Sequence, residues 1–232
     1  MRPIDGGSGG AGLTRVKICG LRDTATIQAM DGLPVHEIGF MFAKSRRQVA
    51  PALAAELIAE VRKLRSRDGS AMRAVGVFVN PTMDELRETL QTAPLDVVQL
   101  HGEESPAFCE DVRRTFGTAV WKVFSVTEDH AAADDSDGPA RLEAYRGCVD
   151  AFLIDTAGGG TGRTFAWHAI DRYKSAAAGM PLYVAGGLHP DNVAELLSRY
   201  SPDGVDVSSG VETDGAKDRT KIRLFAERVQ GL

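Results

Sequence analysis

The stretch RVKICGLRD, residues 15–23, sets a lysine, a cysteine and a glycine where a short apolar run gives way to a polar helix start. A thiol beside a cation can serve as a base, because the positive charge favours the thiolate. Residues two apart on a strand share a face, so Lys17 and Cys19 point together and away from Val16 and Ile18. With the aliphatic pair turned toward covering helices, Lys17 and Cys19 face inward. The same alternation joins Gln99 to His101 in DVVQLHG and Asp206 to Ser208 in GVDVSSG. A buried lysine is rare without a partner, and an inward Asp206 on an adjacent strand would supply one. The plainer alternative is a structural Lys17–Asp206 pair beneath an inert thiol. Other apolar runs also end in polar residues: Asn80, His101, Asp155, Ser208 and Ser209.

Three glycine-rich loops are candidates for a phosphate. GGGTG holds Gly159, Gly160 and Gly162; AGG holds Gly186 and Gly187; SSG holds Ser208, Ser209 and Gly210. Glycines let backbone N–H groups approach an anion closely, and helix starts add a favourable dipole. The alternative is that they are tight turns needing positive φ.

These residues need a scaffold that brings distant strand ends together. Eight short β-branched runs alternate with helical periodicities from residue 14 onward: 16–19, 37–42, 73–79, 96–101, 120–125, 151–155, 181–185 and 205–207. Leu53, Leu57, Val61 and Leu64 step by four and three, and Phe108, Val112 and Phe116 by four, marking amphipathic helices. Units of roughly 27 residues suit parallel βα repeats, and eight of them close a barrel. The expected fold is α/β, a single-domain (β/α)8 TIM barrel over 14–232, behind a Gly-rich tail at 1–13. A doubly wound open sheet competes, but no GxGxxG follows the first run. The fifth helix is the weakest unit, since TEDHAAADDSDGPA (127–140) reads as an acidic loop before a short helix near 141–145. In a barrel the active site lies at the C-terminal strand ends, where the polar residues above fall.

Composition narrows the partners. A net charge of -5 and a pI of about 5.6 argue against nucleic acid, and no segment approaches a membrane span. The three cysteines form no CxxC, so neither a disulfide framework nor a zinc site is indicated and a reducing cytoplasm fits. His36, His130, His168 and His189 lack metal-ligand spacing, and Cys109, Cys148, Trp121 and Trp167 read as packing residues.

Taken in order, VKICG, VGVFVN, DVVQLHG, GGTG, AGGL and GVDVSSGVE with KD at 217–218 resemble the phosphoribosylanthranilate isomerases of tryptophan biosynthesis. The resemblance implies a cofactor-independent Amadori rearrangement of a phosphoribosyl substrate, with Cys19 as general base and Asp155 as general acid. It implies an arginine after the second strand that meets the anthranilate carboxylate, a role suited to a guanidinium fork. Lys17, Asn80, Gln99, His101 and Asp206 complete the expected substrate contacts, and no metal is expected. The chain departs from the family where Ser-Pro-Arg is usual: it reads Ser45, Arg46, Arg47, so Arg47 matches by position while Arg46 could compete. A second departure is Ala166, where the family often carries an acid or amide. The histidine-pathway aminoaldose isomerase is a related alternative, but it generally carries aspartate in place of Cys19. A non-catalytic phosphosugar-binding barrel is the alternative of another class. A monomer or a homodimer is expected.

Overall fold

The computed structural model describes residues 13–126, 138–156 and 167–231. Eight parallel strands close into a barrel in sequence order: β1 (Arg15–Cys19), β2 (Glu37–Met41), β3 (Arg73–Phe78), β4 (Val97–Leu100), β5 (Ala119–Val126), β6 (Ala151–Thr156), β7 (Leu182–Val184) and β8 (Gly204–Val207). Closure comes from β1 pairing with β8, which sets Lys17 directly opposite Asp206. Seven α-helices are described: α1 (Thr24–Gln28), α2 (Pro51–Val61), α3 (Met83–Thr92), α4 (Pro106–Phe116), α5 (Ala169–Ala177), α6 (Pro190–Tyr200) and α7 (Arg219–Val229). Between β5 and β6, where the sequence is weakest in helical pattern, the chain forms a 3₁₀ segment, Pro139–Tyr145. A short hairpin, β9 (Glu212–Thr213) with β10 (Ala216–Lys217), follows β8 and sets Glu212 opposite Lys217.

Alternation sorts the apolar residues into two cores. Val16, Ile18, Ile38, Val98, Phe152 and Val205 join the layer between sheet and helices. Val75, Val97, Trp121, Val123, Leu153 and Tyr183 fill the barrel interior. Polar caps start the helices: Asp23 accepts the Thr26 N–H at 2.7 Å, and Thr82 and Glu85 form a reciprocal capping box. One helix face departs from the expected stripe. Leu53 is exposed, and α2 buries Ala54, Leu57, Ile58 and Val61 instead, because a 3.6-residue turn carries position 53 off the inward face. Among the described residues no helix is long and apolar enough to cross a membrane. Of the tail, residues 1–12 lie outside the described residues, as do 127–137 with His130.

Candidate active site

Cys19 is the last residue of β1 and is 5 % exposed. Gly20 turns the chain away at φ +83, where a Cβ would stand 2.6 Å from Arg47 Cδ. Lys17, one inward position earlier, is fully buried and its Nζ donates to Asp206 Oδ2 at 2.8 Å. Burial alone would lower that ammonium, but the negative charge of Asp206 and the nearby Cys19 outweigh it and lift Lys17 to about 12. The lysine is therefore a fixed cation under the thiol and does not reach the cavity wall.

The expected depression of the Cys19 thiol is corrected by the structure. Burial raises its pKa, and the neighbouring Lys17 and Lys217 offset that only in part. Desolvation of a thiolate at the barrel mouth outweighs two nearby ammonium groups.

Asp155, near the end of β6, is 7 % exposed and lines the same cavity of about 380 Å³ as Cys19. Burial first, and the charge of Asp206 second, raise its carboxyl to about 7, against the Thr156 N–H and Lys17. A carboxyl in that range can give up a proton near neutrality. Its neighbour His101 places Nε2 3.7 Å from Asp155 Oδ2, beyond hydrogen-bond length. Burial and the nearby Lys122 and Lys17 hold His101 at about 4, so the imidazole is neutral at pH 7.

Gln99, His101, Asp206 and Arg47 also line this cavity, as do Gly186, Gly187, Ser208 and Ser209 on the side formed by the loops after β7 and β8. Gly186 has φ +89, and a Cβ there would press on Thr156 N at 2.6 Å and Asp155 Oδ1 at 2.9 Å. The glycine thus lets the seventh loop close against Asp155. Gly210 packs on the Leu188 carbonyl and is not part of the wall. Gly159, Gly160 and Gly162 lie outside the described residues, as does Ala166.

Asn80 is brought close but not in. Its side-chain Oδ1 accepts from the Glu103 N–H at 2.7 Å, and its own N–H donates to Glu104 Oε1 at 2.8 Å. It holds the loops after β3 and β4 together and does not line the cavity.

Sequence reasoning missed two groups. One is the buried pair Lys122–Glu104, 2.9 Å apart, in which Lys122 also donates to the Gly102 carbonyl at 2.6 Å. The alternation along β5, with Val123 inward, gave no reason to expect a lysine turned outward and buried. The other is Glu212, on which Arg46, Arg47 and Lys217 converge at 2.8, 2.7 and 2.9 Å. The motif GVDVSSGVE contains it, but no local periodicity says where a hairpin side chain will point. Of the two arginines, Arg47 lines the cavity and Arg46 does not. Among the described residues no cluster of His, Cys, Asp and Glu is placed to hold a metal ion.

Comparison with known proteins agrees with this geometry. The model of the family described as N-(5'phosphoribosyl)anthranilate (PRA) isomerase matches residues 16–228. An N-(5'-phosphoribosyl)anthranilate isomerase from Brevibacillus brevis is 44% identical over 222 residues, covering 94% of this chain and 94% of that relative. Among solved structures, phosphoribosyl anthranilate isomerase from Thermus thermophilus superposes with a TM-score of 0.78 at 30% identity, covering 94% of this chain and 99% of its own. Another phosphoribosyl anthranilate isomerase, solved with reduced 1-(o-carboxyphenylamino)-1-deoxyribulose 5-phosphate, gives a TM-score of 0.73 at 30% identity over 94% of this chain and 100% of its own.

Proposed function

The chain belongs to the N-(5'-phosphoribosyl)anthranilate isomerase family, and from that membership we propose how its cavity divides the work: Cys19 is the general base, Asp155 the general acid, and Arg47 the fork for the aromatic carboxylate. The enzyme isomerises N-(5'-phosphoribosyl)anthranilate to 1-(2-carboxyphenylamino)-1-deoxyribulose 5-phosphate in tryptophan biosynthesis. The observation that carries the assignment is that Cys19 and Asp155, both more than nine-tenths buried, open onto one cavity.

Protonated Asp155 gives its proton to the furanose ring oxygen as the C1–O bond breaks, leaving a C1 iminium. That cation makes the C2 hydrogen acidic, and the Cys19 thiolate removes it to form an enolamine. The enolamine gains a proton at C1 and gives up its C2 hydroxyl proton as it becomes the ketone, which returns Cys19 to the thiolate and Asp155 to the acid, so substrate and product are isomers and no redox cofactor is required. Gly186, Gly187, Ser208 and Ser209 form the seat for the phosphate, which fixes the sugar between the two groups. Gln99 and His101 face the sugar from β4 and its end, His101 as a neutral hydrogen-bonding group. Lys17 and Asp206 position Cys19 rather than touch substrate, although Asp206 also reaches the wall. Three free thiols, Cys19, Cys109 and Cys148, support a reducing cytoplasm as the site of the reaction.

Turnover of substrate generated in situ tests the roles. Cys19→Ala and Asp155→Asn should each lower kcat by ~10²–10⁴-fold while the reduced product analogue still binds. Near wild-type turnover in either variant would overturn the role given to that residue.

A further inference from the structure

The Glu212 side chain is only 6 % exposed, yet its carboxylate does not line the catalytic cavity. It faces a neighbouring cavity of about 360 Å³, walled in part by Arg22, Asp23 and Lys217, and Arg47 stands between the two. The contacts on the carboxylate are complete. Oε1 accepts from Arg47 Nε at 2.7 Å and Lys217 Nζ at 2.9 Å, and Oε2 accepts from Arg47 Nη2 at 3.1 Å and Arg46 Nη2 at 2.8 Å. A carboxylate has about four acceptor sites, and these donors use them all. Burial would raise this carboxyl, but the bonds from Arg47 and Lys217 override it and hold Glu212 at about 2.

The grip on Arg47 is side-on. It occupies the Nε/Nη2 edge, and among the described residues the Arg47 Nη1 group donates to nothing. A guanidinium has two such edges, and fixing one aims the other as a preformed fork for a second carboxylate. Three cations against one anion also leave the cluster net positive, and Lys217 ties it to the eighth-strand loop through the Ser208 carbonyl at 2.8 Å. Arg46, standing where the family usually carries proline, saturates the second carboxylate oxygen from solvent, its side chain being 59 % exposed.

We infer that Glu212 is a positioning residue that, with Arg46 as an outer brace, holds Arg47 edge-on so that its free fork selects substrates bearing the aromatic carboxylate. The inference rests on the assignment of Arg47 to that carboxylate. Two reduced product analogues, made from ribose 5-phosphate with anthranilate or with aniline, differ only in this group and can be compared by calorimetry.

Glu212→Gln should weaken the anthranilate analogue by about tenfold or more, the loss expected when one charge-assisted bond is misaligned, and leave the aniline analogue unchanged. Glu212→Asp, which keeps the charge but shortens its reach, should show the same selective loss, and serves if the glutamine variant does not fold. Arg46→Pro should show it in smaller degree. Equal weakening of both analogues marks a merely structural Glu212 and overturns the inference, as does no weakening of either; an Arg46→Pro variant identical to wild type removes the brace. The underlying assignment fails separately: wild type would then bind both analogues equally, or Arg47→Ala would preserve their difference. If Arg47→Ala abolishes the difference while Glu212→Gln keeps it, only the positioning role falls.

Discussion

Cys19 and Asp155 hold their protons in the reverse of the order that the proposed base and acid roles require. Burial keeps the thiol above its ordinary value and brings the carboxyl only to about 7, so the form with thiolate and carboxylic acid together is a minority of the singly protonated site. That form disappears as pH drops below about 7, where both groups fill. It disappears again at alkaline pH, where both empty. A pH profile of kcat/KM should therefore be bell-shaped with its acidic limb near 7 and its maximum on the alkaline side. A profile flat through neutrality on the acid side would show that the first proton of the pair is not lost near 7. An iminium forming at C1 would favour the thiolate at the moment the base is needed, which is why a resting thiol is compatible with catalysis.

At the scale of elements, strand ends are placed by bonds that cross between loops. Lys122 leaves β5 and pairs with Glu104, whose carboxylate also accepts the N–H groups of Asn80 and Gly102. Tyr145 of the 3₁₀ segment donates to the Glu104 carbonyl at 2.8 Å. The loops after β3 and β4, the strand β5 and the irregular fifth connection are thus fastened at one point, and His101 is carried by one of those loops. Glu104→Gln leaves Lys122 buried with carbonyl partners and no counter-charge, which should cost about 3–5 kcal/mol of unfolding free energy. Chemical denaturation checks this, and a loss within the range of a surface substitution would remove the pair from the framework. Strand positions were legible because period-two alternation is local. The 3₁₀ character of 139–145 was legible only as weakness, because few apolar residues there commit to one helical face.

The whole molecule adds a pH dependence of its own. His36 is 5 % exposed, and its Nδ1 accepts the Val16 N–H at 3.1 Å, a bond that needs the neutral ring. Burial and the nearby Arg15 lower it from 6.5 to about 4. With the folded value depressed, its contribution to stability is full above pH 6.5 and is lost as pH falls toward 4. Asp155 has the opposite sign: its raised value makes its burial costliest above about 7 and eases as pH falls. The denaturant midpoint of His36→Asn, compared with wild type across this window, should lack the acid-side loss that the histidine contributes. Parallel curves for the two proteins would show that His36 is not buried as the neutral ring.

Sequence alone determined which residues face inward, because strand alternation is a property of neighbours: Lys17, Cys19, Gln99 and Asp206 follow from patterns a few residues long. It also determined the family, since its motifs recur in order along the chain. Tertiary structure decided what those patterns do not contain. The ionisation of Cys19 depends on how much water the closed barrel excludes, and burial there outweighs the lysine two residues away. The choice of Arg47 over Arg46, and the grip of Glu212 on both, depends on a hairpin after β8 reaching a loop after β2. Charges far apart in the chain act on one another only once the strands have closed the ring and lowered the dielectric between them.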